Sequence, residues 1–162
     1  NAELNQYIHR GSENVKQQLV WLQKYYQRTD DYYFVIETVD KKSPEGVVSI
    51  YDLQENTAEW GRWILRPGSL AAVESAWMVY RIAFEALSLD SLYCRTVAAN
   101  KSVVSFHDSC GISRNRLLKD HFEFDSRKFD AVEHLVGSKE WQEIGPRMHR
   151  LAQRMARKLG NR

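Results

Sequence analysis

Twice between Thr57 and Gly111 a strand-like run feeds directly into a helical one, and this alternation narrows the folds open to the chain more than any other feature. Thr57 to Leu65 carries branched and aromatic residues in short alternation. After Arg66-Pro67-Gly68-Ser69, residues Leu70, Val73, Trp77, Val79, Tyr80, Ile82, Phe84 and Leu87 spread around most sides of a helix reaching about Leu87. A helix so apolar is buried against a sheet. Ser91 to Val97 reads as the next strand, and Ser102 to Cys110 as a second helix stopped by Gly111. Gly111 suits a left-handed helix cap. A strand joined to the next by a helical crossover makes a parallel pair.

The flanks are predicted in the same way. Ser12 or Asn14 can cap a helix to about Gln27, with Val15, Leu19, Leu22 and Tyr26 along one face. Tyr32 to Val39, Val47 to Leu53 and Thr57 to Leu65, parted by Lys41–Gly46 and Gln54–Asn56, form an antiparallel meander. Arg114 to Phe124 and Lys128 to Val136 alternate as a hairpin. Ser138 opens a last helix, entered near Trp141 and restarted at Pro146. The expected fold class is therefore α/β in the α+β sense: a mixed, mostly antiparallel central sheet flanked by helices.

Composition excludes some functions. One domain is expected from 162 residues. No apolar run reaches membrane-span length, so no membrane partner is expected. The net charge of +2 divides unevenly: Gly145 to Arg162 holds six Lys or Arg and no acid, which leaves 17 basic and 21 acidic residues elsewhere. A body of that charge offers no basic face for nucleic acid. Cys94 and Cys110 fit no metal or redox spacing and read as reduced, buried thiols, which suits a cytoplasmic location.

Two loops carry the chemistry. Asn100-Lys101-Ser102-Val103-Val104-Ser105-Phe106-His107-Asp108-Ser109-Cys110-Gly111-Ile112 follows the pattern Asn-x-x-Ala-x-x-x-Tyr-x-x-x-Gly-Phe, with Val103, His107 and Ile112 replacing Ala, Tyr and Phe. Arg66-x-x-Ser69-x-Ala71 resembles Arg/Gln-x-x-Gly-x-Gly/Ala, with Ser69 in a glycine position and Gly68 displaced by one. With the order of elements, these runs resemble the GNAT superfamily of N-acetyltransferases. The likeness lies nearest the branch of ribosomal-protein alanine and sugar-nucleotide amine acetyltransferases, and covers roughly Asn1 to Trp141. Asn1 to Ile8 is similar to the stretch that follows that branch's first strand, so the resemblance implies that this strand is lacking here. It divides the chain into an acetyltransferase domain over residues 1–144 and a basic C-terminal helix over 145–162.

The resemblance implies acetyl-CoA as co-substrate and no metal. Its pantetheine arm would enter a splay between the third and fourth strands. Trp63, Ile64 and Leu65 would offer backbone N–H groups to the arm and the oxyanion, and Asn100 would hold it. Arg66, Gly68, Ser69, Leu70, Ala71 and Ala72 would cradle the pyrophosphate at a helix start. Gly61 within a strand suggests the bulge that such splaying needs. His107 stands where the family's tyrosine protonates the leaving thiolate; imidazole serves near neutral pH, though a lone histidine is more often structural. Glu59 is the general-base candidate, against a solvated strand carboxylate. Trp60, His121 and Asp130 are candidates for contact with the acceptor, a small-molecule amine.

Direct acetyl transfer to an amino-sugar nucleotide is the leading expectation. The alternatives are a protein N-terminal (alanine) acetyltransferase and a degenerate, non-catalytic acyl-CoA-binding or interaction module. The tail, with Trp141, Ile144, Met148, Leu151 and Met155 at helical spacing, reads as a packing helix in preference to a homodimer contact.

Overall fold

The computed structural model describes residues 14–160. Ser12 as a cap and the stretch Asn1 to Ile8 lie outside them. Among the described residues the elements run α1 (Val15–Tyr25), β1 (Tyr32–Glu37), β2 (Pro44–Gln54), β3 (Thr57–Leu65), α2 (Ala72–Arg81), β4 (Ser91–Val97), α3 (Lys101–Ser109), β5 (Arg114–Phe124), β6 (Arg127–Gly137) and α4 (Ser138–Gly160). One six-stranded sheet has the order β1-β2-β3-β4-β6-β5. Every neighbouring pair is antiparallel except β3 and β4, the pair joined through α2.

Asn14 caps α1 by accepting a hydrogen bond from the Lys16 N–H. The apolar face expected on this helix is left largely uncovered by the described residues: Val15 is 66% exposed and Tyr26 83%. The core lies on the other side of the sheet. Trp60, Ile50, Leu92 and Val136 pack there against Ala76, Val79, Tyr80 and Ala83, and Trp141 and Met148 of α4 close the layer.

Two helices differ from the sequence expectation. Helix α2 begins at Ala72, not at Ser69, and after Arg81 its last turn widens into a π-helix over Ile82–Ala86, closed by Leu87 N–H on the Ile82 carbonyl. Helix α4 runs through Pro146 without restarting. A Cβ on Gly145 would lie 2.8 Å from the Trp141 ring, so the residue before the proline lets that ring lie flat on the helix. The boundary drawn at 144/145 falls inside this helix, and Met148 and Ala152 beyond it are buried.

Candidate active site

The sheet opens in its middle. Strands β3 and β4 pair only at Thr57–Ser91, Ala58–Leu92 and Glu59–Tyr93. Beyond that level β3 stays with β2 and β4 stays with β6. The local cause is a β-bulge: Ser49 faces Gly61 and Val47 faces Ile64, so Arg62 and Trp63 together oppose Val48, and Arg62 takes φ 49°. The bulge falls one residue after Gly61. Among the described residues, the edge of Trp60 to Leu65 turned toward β4 therefore has no strand partner, an arrangement suited to receiving an extended group between the strands.

Gly61 has its own function. A Cβ there would sit 2.7 Å from the Tyr51 hydroxyl, which instead crosses the glycine and donates to Glu59 at 3.1 Å. Glu59 is 7% exposed, and its other oxygen takes a hydrogen bond from Arg95 at 3.0 Å. Burial pushes the Glu59 carboxyl above its ordinary value, against the opposing pull of Arg95 and Tyr51. Arg95 also holds Glu133, and Glu133 accepts from Arg116 and Asn115. Burial works to raise the Glu133 carboxyl, but those hydrogen bonds outweigh it and hold it low. Asp31 binds Arg62 at 2.7 Å, and Arg62 lies over the Tyr51 ring. One polar ribbon thus crosses five strands on the face opposite the core.

In that ribbon the carboxylates are hidden and the guanidiniums are not. The side chains of Asp31, Glu59 and Glu133 are 1%, 9% and 2% exposed, whereas those of Arg62, Arg95 and Arg116 are 35%, 22% and 56% exposed. Arg95 lies over the Tyr93 ring. Solvent beside the split meets arginine and tyrosine. Sequence reasoning missed Tyr51, Arg95, Asn115, Arg116 and Glu133; their one signal is placement on alternate positions of strands, since only register brings them together.

The predicted phosphate loop is partly engaged. Helix α2 starts with no side-chain cap, so the N–H groups of Ala72, Val73 and Glu74 have no partner within the helix. Gly68, at φ +79°, has open space where a Cβ would stand. Arg66 is paired to Glu45 at 2.5 Å with its side chain 59% exposed. The Ala71 N–H, by contrast, donates to Ser69 Oγ. Hydrogen bonds from Ser69 and then Arg66 hold the Glu45 carboxyl below its usual range. Three N–H groups without a helix partner and an exposed guanidinium suit a pyrophosphate; the Ala71 donor is taken.

His107 lies on the core side and is 1% exposed. It is enclosed by Trp60, Trp63, Phe106 and His134, with Cys94 Sγ 3.6 Å from Nε2. Burial, helped by His134, pushes its pKa down to about 3, so the ring is neutral. Asn100 Oδ1 accepts from the Ser102 hydroxyl and, at 3.4 Å, from the Val103 N–H, which caps α3. Cys94 and Cys110 are free and buried, and burial raises both thiols, Cys110 to about 11. Neither supplies a ready thiolate.

The acceptor candidates do not gather. Trp60 turns to the core, is 1% exposed and donates to the Tyr80 hydroxyl at 3.0 Å, so it is withdrawn as a contact residue. Asp130 accepts from Lys119 and from the Asp120 N–H, which fixes the β5–β6 hairpin. His121 is exposed, and burial followed by Arg95 lowers its pKa, so it senses the arginine ribbon.

The acetyltransferase (GNAT) domain profile matches residues 1–113. No curated protein matches this chain in sequence. Among solved structures, a spermidine N-acetyltransferase chimera from Vibrio cholerae and hSSAT aligns with a TM-score of 0.76 at 20% identity, covering 86% of this chain and 88% of the other. The spermidine/spermine N-acetyltransferase of Vibrio cholerae, solved with manganese ions, aligns with a TM-score of 0.74 at 19% identity, covering 87% and 86%. At such identities these two likenesses establish a shared fold.

Proposed function

This chain belongs to the GNAT acetyltransferase family and is an acyl-CoA-dependent acetyltransferase; we propose that it acetylates the primary amine of an amino-sugar nucleotide. The observation that carries the choice of acceptor is the exposure of Arg62, Arg95 and Arg116 beside Tyr51 and Tyr93, over carboxylates that are buried. Guanidinium pairs a phosphate in bidentate fashion and stacks on flat rings, so such a face receives a nucleoside diphosphate. The carboxylates of this face are buried and already paired, so a polycation finds no free anionic partner on it, and the spermidine acetylation named for the structural neighbours is therefore not the favoured reaction.

Acetyl-CoA, when bound, supplies an acyl group on a thiol leaving group. The uncapped start of α2, with Arg66, holds the pyrophosphate, and the unpaired edge from Trp63 to Leu65 receives the arm. The amine arrives protonated. Glu59, both of whose oxygens are engaged by Tyr51 and Arg95, accepts its proton through water. The departing thiolate takes its proton from water; His107, the expected donor, is sealed on the core side and neutral, and losing its one N–H would leave an imidazolate. No enzyme-bound acyl intermediate is required.

A CoA-release assay over UDP-linked amino sugars, spermidine and alanine-initiated peptides tests the reading. Turnover is expected with the nucleotide, with Arg116→Ala raising its KM on the order of tenfold. Preference for the peptide would favour protein N-terminal acetylation. Binding of acetyl-CoA without turnover of any amine would leave a non-catalytic module.

A further inference from the structure

Arg95, Glu133 and Arg116 stand in one cross-strand row, Glu133 of β6 lying opposite Arg95 of β4 on one side and Arg116 of β5 on the other. Successive residues of a strand point to opposite faces, so Asn115 would ordinarily turn away from its neighbour Arg116. Here the β5–β6 register shifts between Arg114 and Arg116. That bulge brings both Asn115 and Arg116 to the Glu133 carboxylate, while Arg114 turns to Asp108. Glu133 Oε1 accepts from Asn115 at 2.7 Å and from Arg116 Nε at 2.8 Å. Its Oε2 accepts from Arg95 Nε at 2.9 Å and from Arg116 Nη2 at 3.2 Å. A carboxylate offers about four acceptor positions, and here all are filled.

The arginines keep donors in reserve. Arg116 commits Nε and Nη2 to Glu133; Arg95 commits Nε to Glu133 and Nη1 to Glu59. Among the described residues Arg116 Nη1 and Arg95 Nη2 meet no acceptor, and the two side chains are 56% and 22% exposed. Arg95 also lies over the Tyr93 ring, 4.7 Å from its centroid. Guanidiniums clamped in this way have already lost the rotamer freedom that binding would otherwise remove.

We propose that Glu133 is the positioning residue for acceptor recognition, clamping Arg95 and Arg116 so that their free edges grip the diphosphate of the nucleotide together. The inference rests on the amino-sugar-nucleotide reading and deepens it. Glu133 is buried beneath the two arginines and acts through them, without touching the substrate. Because Arg95 also holds Glu59, the grip is tied to the general base.

Glu133→Gln keeps the shape but turns one acceptor oxygen into an N–H donor, so one guanidinium is let go. The test is KM for a UDP-linked amino sugar and for acetyl-CoA, with inhibition by UDP measured at saturating acetyl-CoA. Expected are a nucleotide KM and a UDP inhibition constant raised on the order of tenfold, with kcat and the KM for acetyl-CoA within about twofold. A nucleotide KM that stays put or falls overturns the clamp, as does equal weakening of both substrates, the mark of a merely structural role. UDP that inhibits parent and variant alike overturns the clamp and leaves the acceptor reading standing. UDP that fails to inhibit the parent removes that reading and the clamp with it. Should Glu133→Gln fail to fold, Arg116→Lys at its exposed site carries the test. That change keeps the charge, but an ammonium has no second planar edge to give a phosphate while it meets Glu133. The nucleotide KM must then rise as far as in Arg116→Ala, and a KM near the parent's overturns the proposal.

Discussion

Arg95 reaches back to Glu59 from the far side of the split, at 3.0 Å, although the strands that carry them last pair at Glu59–Tyr93, two residues short of Arg95. The ion pair therefore spans the mouth of the opening. It fixes a carboxylate whose proton affinity burial has raised at the point where the two strands part. A raised proton affinity, with the carboxylate held in place, is what a general base needs.

Replacing Glu59 by Gln should lower kcat/KM for the amine by about 10²-fold. The parent carboxyl titrates above its ordinary value, so activity should rise with pH through that raised pKa as the base ionises. CoA release followed against pH should show this acidic limb in the parent and not in the variant. An identical limb in both would assign the titration to another group.

Tyr51→Phe removes the phenol that donates to Glu59, and Gly61→Ala drives the same phenol away. That hydrogen bond lowers the Glu59 pKa, so its loss moves the acidic limb to higher pH. Both variants should shift it in this direction. A limb displaced downward in either would contradict the geometry.

Arg66→Ala should raise the KM for acetyl-CoA on the order of tenfold, the scale of one charge-assisted phosphate contact. Acetyl-pantetheine, which has no pyrophosphate, should be used equally by parent and variant. If both donors suffer alike, Arg66 serves the loop through Glu45 and not the phosphate.

His107 links stability to acid. Its pKa is depressed to about 3 in the folded chain, against an ordinary value near 6.5. Below pH 6.5 the unfolded chain binds a proton that the native ring refuses, so stability falls as pH drops toward 3. The slope from this group approaches about 1.4 kcal/mol per pH unit. Denaturant melts of His107→Gln between pH 7 and pH 4 should show a shallower decline than the parent.

Much of the fold was legible because its signals are local. The runs Thr57–Leu65, Ser91–Val97 and Arg114–Phe124 matched their strands end for end; the opening between β3 and β4 was expected from the family resemblance, with Gly61 inside a strand as its one local sign. The site was less legible. Glu59 and His107 stand on readable positions, but the neighbours that set their chemistry come from other strands: Tyr51 across β2, Arg95 across the split, His134 facing Cys94 across β4 and β6. Side-chain direction also escaped: Trp60 and Glu59 are adjacent, and alternation along the strand sends one to the core and the other to the ribbon. The helix start at Ala72 was missed because Ser69 engages Glu45 and the Ala71 N–H rather than the first turn.

The bulge at Arg62 and Trp63 has a price for the empty protein. A sheet parted at its centre carries two raw interior borders in addition to its outer ones, and unpaired strands of that kind invite pairing with other chains. Whatever slides between them works as mortar while it waits to react, adding RT ln(1 + [L]/Kd) to the cohesion of the whole sheet. If the coenzyme is what lies there, as proposed, its concentration sets the folded fraction of the enzyme as well as its rate.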